Sequence, residues 1–479
     1  MPHEHRPMTA PSLSAEDLFY EGTRLMGLGD VEKSERAFRA AIAEAPELGE
    51  AHANLGLLLE SDGRTQEAEA SYRRALELAP GLSQIHINLG AMLASQRRFA
   101  EAENTYREAL AVNPESYMAW SNLGVLLACV KREAESEQCY RTAMALAPDY
   151  RNASFNLAYL LLRQGRYAEG WLCLESRDWY QALDKHLGIP RWQGEPLAGK
   201  SFLISLEAGH GDMIQFCRYA RQLKERGAAR VSVLCHPALK NLFDHFDGID
   251  EAIAVGDPYP DRAWDCWSPP LSLPFFCQTR LESIPANLPY LSADPDKTRY
   301  WASLMADGGD ALRVGLVWKG NPRFENDAER SLGSFLDLAP LGEVSGVRFF
   351  SLQKGAGENE VAHSSASFPV LDLGSRLADF SDTAAIVMNL DLLITVDTAV
   401  AHLAGALGKP VWVMLPDYKT DWRWLSDRSD SPWYPGVMRL FRQEASGTWG
   451  SVISRVKVAL EEELKKRQIH RFLANNTRD

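Results

Sequence analysis

No run of about 18 consecutive apolar residues occurs in the 479-residue chain, so no membrane span is expected. There is no Cys-x-x-Cys pair either. The seven cysteines (Cys129, Cys139, Cys173, Cys217, Cys235, Cys266 and Cys277) are an odd number without metal-ligand spacing. That argues against a disulfide frame or a zinc site and for reduced, mostly buried thiols. Basic residues are in deficit, 51 Lys and Arg against 64 Asp and Glu, a net charge of −13. A general nucleic-acid binder is therefore not expected, although local basic pockets for a phosphorylated ligand remain compatible. The opening segment, MPHEHRPMTAPSLSAED, lacks the apolar core of a signal peptide, so the cytoplasm is the expected compartment and residues 1–14 are expected to form a disordered tail. What is there, 46% hydrophobic and 24% charged residues, is the composition of a globular protein. The length calls for two or three domains.

The first third repeats itself. Prolines fall at 46, 80, 114 and 148, and the same step of 34 carries Gly56 to Gly90 and Gly124, Tyr72 to Tyr106 and Tyr140, and Ala75 to Ala109 and Ala143. Small residues at helix crossings and a proline ending each second helix, at this period, are the tetratricopeptide signature. A weaker unit over 15–48, with Tyr20, Gly22, Phe38 and Pro46 in register, precedes the array, and a partial unit with Gly165, Ala168 and Trp171 follows it. Repeats are thus expected over 15–184, stacked into a solenoid with a concave face for a ligand. Asn54, Asn88, Asn122 and Asn156 hold one place on successive first helices. An amide offers donors and an acceptor, which suits an extended peptide backbone; the alternative is that each asparagine serves a neighbouring repeat.

The helical period fades near Arg177, and "LGIPRWQGEPLAGKS" suggests a linker over 185–199. Beyond it, apolar strands alternate with helices. Strands are expected at 201–206, 230–235, 251–255, 313–318, 347–353 and 391–396, with a helix over 212–227 and an amphipathic helix over 452–468. This order predicts two parallel, doubly wound α/β halves, 200–310 and 311–466, followed by a tail over 467–479. "DPYPDRAWDCWSPPLSLPFF" reads as irregular.

"LLITVDTAVAHLAGALGKPVWVML" (392–415) places Asp397 and Thr398 at the carboxyl end of a buried strand, where a helix starts. Free N–H groups and the helix dipole make such a point an anion site, and His402 lies one turn on. The alternative is a capped helix with a structural histidine. In "LEAGHGDMIQF" (206–216), Gly209, His210 and Gly211 form a matching turn that permits close approach of a ligand, and Asp212 opens the next helix. Asp212 is a candidate general base if it faces the other cluster, and otherwise an N-cap. Trp422, Trp424, Trp433 and Tyr434 suit either stacking on a base or sugar or packing an inter-domain seam. Asp294-Pro295-Asp296 lies in an expected loop and is not read as a metal site.

Together, "GHGDMIQFCRY", "VGLVWKGNPRFENDAERSL", "FFSLQKG", the 380–416 block and "DWRWLSDRSDSPWYPGVMRLFRQ" resemble the bacterial tetratricopeptide-repeat glycosyltransferases, which are related to the heptosyltransferase family and, by architecture, to O-GlcNAc transferase. The resemblance spans about 15–460. It implies a repeat solenoid followed by a GT-B module of two Rossmann-like domains, with a nucleotide sugar as co-substrate, no further cofactor and no metal. By the same resemblance Asp397, Thr398, Ala399 and His402 hold the donor's diphosphate, with Ala399 replacing the usual heptosyltransferase glycine. Lys319, Asn321 and Arg330 lie in the loop where relatives' cationic residues reach phosphate, and Gln353 and Lys354 flank the nucleotide. Gly209, His210 and Gly211 line the acceptor side, Asp212 is the base, and the asparagines hold a polypeptide. In similar proteins the C-terminal helix crosses back to the first half, and the helix over 452–468 is compatible with that. The implied activity is inverting transfer of a sugar to a protein hydroxyl. The alternatives are a lipid-linked or saccharide acceptor, or a repeat scaffold with an inactive module.

Overall fold

The computed structural model describes residues 13–177, 179–258, 264–306, 309–363, 368–444 and 448–476, so most of the expected N-terminal tail lies outside the described residues. Among these residues no helix is long and apolar enough to cross a membrane, and the seven cysteines are free, five of them buried. The chain divides into two compact units, one ending at Leu157 and the other starting at Ala158. The division falls inside the helix Arg151–Arg163, short of the boundary at 184 expected from the repeats.

The first unit consists of helix pairs: Ala15–Gly27 with Val31–Glu44, Gly49–Ser61 with Thr65–Leu78, Ser83–Ser95 with Phe99–Val112, and Tyr117–Cys129 with Glu133–Leu146. Ser14 starts the series with a reciprocal cap, accepting from the Asp17 N–H while the Asp17 carboxylate accepts from its own N–H, both at 3.1 Å. The glycine period has a direct cause. A Cβ on Gly56, Gly90 or Gly124 would sit 2.8, 2.6 or 2.7 Å from the ring of Tyr72, Tyr106 or Tyr140, and Gly22 meets Phe38 in the same way. Each aromatic ring therefore lies flush on the backbone of its partner helix, with Tyr72, Tyr106 and Tyr140 all buried. Between repeats, Arg64, Arg98 and Arg132 each bridge a glutamate on their own helix and one on the preceding repeat (Glu67 and Glu35, Glu101 and Glu69, Glu135 and Glu103).

The second unit carries two parallel sheets. The first contains β1 (Ser201–Ile204), β2 (Arg230–Cys235), β3 (Glu251–Ala254) and β4 (Cys266–Ser268), in the order β3-β2-β1-β4. The second contains β5 (Leu312–Val317), β6 (Val347–Ser351), β7 (Val370–Asp372), β8 (Leu392–Val396), β9 (Val411–Leu415) and β10 (Met438–Arg442), in the order β10-β9-β8-β5-β6-β7. Counted from its own first strand, the second sheet has the doubly wound order 3-2-1-4-5-6. In both sheets the order reverses beside the first strand, which leaves a crevice at the carboxyl ends of β1 and β4 and of β5 and β8.

Several details differ from expectation. The linker is built into the first sheet: Arg191 bridges to Trp267, the Trp192 N–H donates to the Trp267 carbonyl at 2.7 Å, and Trp192 and Leu197 are buried. The irregular segment contains β4, while β7 and β10 were not expected. The helix expected over 212–227 is two helices, His210–Phe216 and Tyr219–Glu225. The break has a local cause, because Arg218 Nε donates to the Gln215 carbonyl (2.8 Å) that a continuing helix would use. The helix Pro295–Leu304, capped by Asp294 (2.7 and 3.1 Å to the N–H groups of Asp296 and Lys297), packs against Phe380–Met388 of the second half, with Lys297 pairing with Asp379 and Asp382. The C-terminal helix runs from Trp449 to Asn476, through most of the expected tail. Its described side chains pack on the second half: Val452, Ile453, Val456 and Leu460 join that half's core, and Arg467 pairs with Asp391 at 2.9 Å.

Candidate functional site

At the reversal point of the second sheet, β8 is buried along its whole length and delivers Asp397 and Thr398 to its carboxyl end. Thr398 is the N-cap residue of Ala399–Ala406, but its hydroxyl caps nothing; it meets the Thr395 hydroxyl at 3.1 Å. The N–H groups of the first turn are thus left without a side-chain cap. His402 is buried one turn in, its Nδ1 2.9 Å from the Tyr434 hydroxyl and its ring stacked on Trp424 with centroids 5.2 Å apart. Burial, then the charges of Arg423, Arg218 and Arg330, holds its pKa well below the usual 6.5, so the imidazole is neutral. Burial and the neighbouring Asp421 push Asp397 the other way, up to about 6, against the pull of Arg330 and Arg423.

Arg330 lies beside the loop after β5. It donates to Asp327 at 3.2 Å, covers the Phe324 ring at 4.4 Å, and borders Gly320, where a Cβ would come within 2.9 Å of its guanidinium. The other residues after β5 and β6 serve the loops themselves. Gln353 is buried, accepts from the N–H groups of Trp318 (2.9 Å) and Lys319 (3.0 Å), and donates to the carbonyls of Lys319 (3.0 Å) and Ala356 (2.7 Å). Lys319 pairs with Glu360. Asn321 accepts from the Arg323 N–H at 3.1 Å, and Lys354 is an exposed residue with Glu358 at 3.4 Å. Arg330 is the member of this group whose charge reaches Asp397 and His402.

The turn after β1 meets this cluster directly. A Cβ on Gly211 would lie 3.0 Å from His402 Cδ2 and 3.4 Å from the Ala399 Cα, so glycine is what lets the two helix starts touch. Ala208 enters the turn at φ 61°, a left-handed conformation that costs a non-glycine residue energy. His210 packs against His236 (4.5 Å) and Phe380 (5.2 Å), and burial together with His236 lowers its pKa to about 4. Asp212 accepts from the Gly209 N–H at 2.9 Å with one oxygen and from Arg423 with the other.

Arg423 is the residue that sequence reasoning missed. Buried at the centre, it donates to Gln215 (2.6 Å), to both oxygens of Asp421 (3.0 and 2.9 Å) and to Asp212. Its only sequence signal was a cation set among aromatics in "DWRW". Arg218 was missed as well: it is buried and donates to the Trp433 carbonyl and the Tyr290 hydroxyl, both at 2.9 Å. Trp422, Trp424, Trp433 and Tyr434 are buried, and Trp433 packs with Tyr167 and Trp171, so these aromatics form an internal seam.

Comparison with known proteins identifies the helical part. A family model described as tetratricopeptide repeat matches residues 21–83, 92–133 and 132–170. The first third is a tetratricopeptide-repeat array. Protein FlbA of Caulobacter vibrioides is 27% identical over 333 residues, which cover 61% of this chain and 52% of that protein, so the chain spans about half the length of its curated relative. Among solved structures, pilF of Pseudomonas aeruginosa matches at 20% identity and a TM-score of 0.33, over 36% of this chain and 82% of that one. YrrB, described as a TPR protein with an unusual peptide-binding site, matches at 15% identity and a TM-score of 0.30, over 34% and 84%.

In the repeat array Asn54, Asn88, Asn122 and Asn156 are all half-buried at one register. Asn54 donates to Thr23 of the preceding repeat at 3.3 Å, and Asn88 accepts from Gln84 at 2.8 Å. Both amides therefore also serve residues of their own array.

Proposed function

We propose that the chain is a glycosyltransferase with a GT-B module, in which repeats that suggest protein–protein interaction recruit a polypeptide acceptor. The observation that carries this reading is the meeting of the two switch-point clusters. Asp212 and its glycine turn come from the first sheet and Asp397, Thr398 and His402 from the second, packed together through Gly211. In the reaction, a bond forms between the acceptor oxygen and the anomeric carbon while the bond from that carbon to the donor phosphate oxygen breaks. Asp212 takes the acceptor's proton, a contribution on the order of 10²–10⁴ in rate. The N–H groups at 398–400 and Arg330 stabilise the departing phosphate charge. His402, neutral and fixed by Tyr434 and Trp424, adds a directed polar contact without competing charge. Backside attack inverts the anomeric centre.

Thermal denaturation against a panel of nucleotides and nucleotide sugars tests the reading. A ligand at a hundred times its Kd stabilises the native state by about 2.7 kcal/mol. At least one nucleotide is expected to raise the midpoint of the wild type, and Arg330→Ala to reduce that gain. If no nucleotide moves any form of the protein, the repeat-scaffold alternative replaces this one.

A further inference from the structure

The proposed base is not free. One oxygen of Asp212 is held by the Gly209 N–H and the other by Arg423, whose remaining bonds go to Asp421 and Gln215. Arg423 is thus a single buried cation shared by two carboxylates from different halves of the module. Its charge also bears on Asp397 and His402, and its neighbour Trp424 stacks on His402. Solvent reaches the cluster at its carboxylates: the side chains of Asp212 and Asp421 are 22% and 23% exposed.

We infer that Asp212 is the resting placeholder on Arg423, and that an anionic phosphate group of the donor takes this guanidinium and thereby frees Asp212 for the acceptor. This rests on the reading that a phosphorylated donor binds at the switch point. The chemistry favours exchange. A guanidinium presents fixed pairs of N–H donors that suit phosphate as well as carboxylate, and an incoming phosphate replaces one charge-assisted contact with another. Asp421 and Gln215 keep the side chain anchored throughout, so the cation need not move far. The consequence is order: the base becomes available only once the donor is seated.

The probe is inorganic pyrophosphate, with UDP and CMP beside it to separate recognition of a diphosphate, a nucleoside diphosphate and a nucleoside monophosphate. Binding to the full chain is read by calorimetric titration and thermal shift. If Asp212 and the anion compete for Arg423, Asp212→Asn should bind the best of these probes on the order of tenfold more tightly than the wild type, as expected for releasing one charge-assisted hydrogen bond. In Arg423→Gln, and in the double variant, that gain should vanish. Arg423→Lys, which keeps the charge with less disturbance of the fold, should retain part of it. Equal affinity in the wild type and Asp212→Asn, with clear binding in both, overturns the exchange and leaves the donor reading standing. Binding by Asp212→Asn alone supports it, since the carboxylate then blocks the site. No binding by either overturns both.

Discussion

The His402 imidazole is buried and kept neutral, and this has a measurable thermodynamic signature. Burial makes the native state bind a proton at His402 less readily than the unfolded chain, which binds one below about pH 6.5. The unfolded state then holds more protons, so stability falls as pH drops through 6.5, by about 1.4 kcal/mol per pH unit for this group. Asp397 works in the opposite sense. Its native pKa of about 6 lies above the ordinary 3.8, so its stabilising protonation is complete below 3.8 and lost as pH rises through 6. We predict that His402→Gln flattens this fall just below pH 6.5, measured as the difference between the urea-unfolding free energies of variant and wild type. Parallel profiles would show that His402 carries a proton in the native state. Gly405 offers a steric counterpart. A Cβ there would lie 2.4 Å from the Tyr434 ring, which carries the hydroxyl beside His402. Gly405→Ala should cost about 1–3 kcal/mol by overpacking and weaken nucleotide binding together with it.

At the scale of elements, the repeat helices were readable because their signal is redundant: each glycine recurs opposite each ring. Tyr106→Ala should cost about 3–5 kcal/mol, and Gly90→Val a comparable amount by forcing that ring off the helix, both read by chemical denaturation. The strands that escaped notice had no such redundancy. β4 and β7 are three residues long, and β4 lies in a segment full of prolines and tryptophans, so neither length nor alternation marked them. The switch-point turns were legible, since Asp397, Thr398, Gly211 and Asp212 announce strand ends and helix starts. Arg423 was not, because its role depends on Asp212 and Gln215, more than 200 positions away in the sequence. The same holds for the ion network that ties the segment after Tyr167–Leu174 to the turn of β1. There Arg177 and Glu207 pair at 2.6 Å, both buried, and Trp179 and the Leu271 N–H also donate to Glu207. Removing Glu207 leaves the buried Arg177 guanidinium with one carboxylate, Glu175 at 2.8 Å, in place of two. Glu207→Leu should therefore lose about 1–3 kcal/mol and displace the Gly209–Asp212 turn, visible as weaker anion binding.

For the whole molecule, the division at Leu157 predicts two cooperative blocks. A solenoid is stabilised by nearest-neighbour contacts, whereas the doubly wound sheets share cores across many strands. Differential scanning calorimetry should show that Tyr106→Ala lowers one transition and leaves the other in place, while Gly405→Ala does the reverse. A nucleotide should raise the transition that Gly405→Ala lowers. A single transition shifted by both substitutions would mean that the two blocks unfold together.

The stacking of Trp424 on His402 also has an optical consequence. An indole packed flat on an imidazole and shielded from water emits in the blue, and its emission responds to any change in the charge or tilt of its neighbour. With fluorinated tryptophan in the chain, the resonance lost in Trp424→Phe identifies this ring among the 13 tryptophans. That resonance then becomes a spectroscopic gauge of whether the guanidinium next to it in sequence has changed partners, readable without any assay of activity.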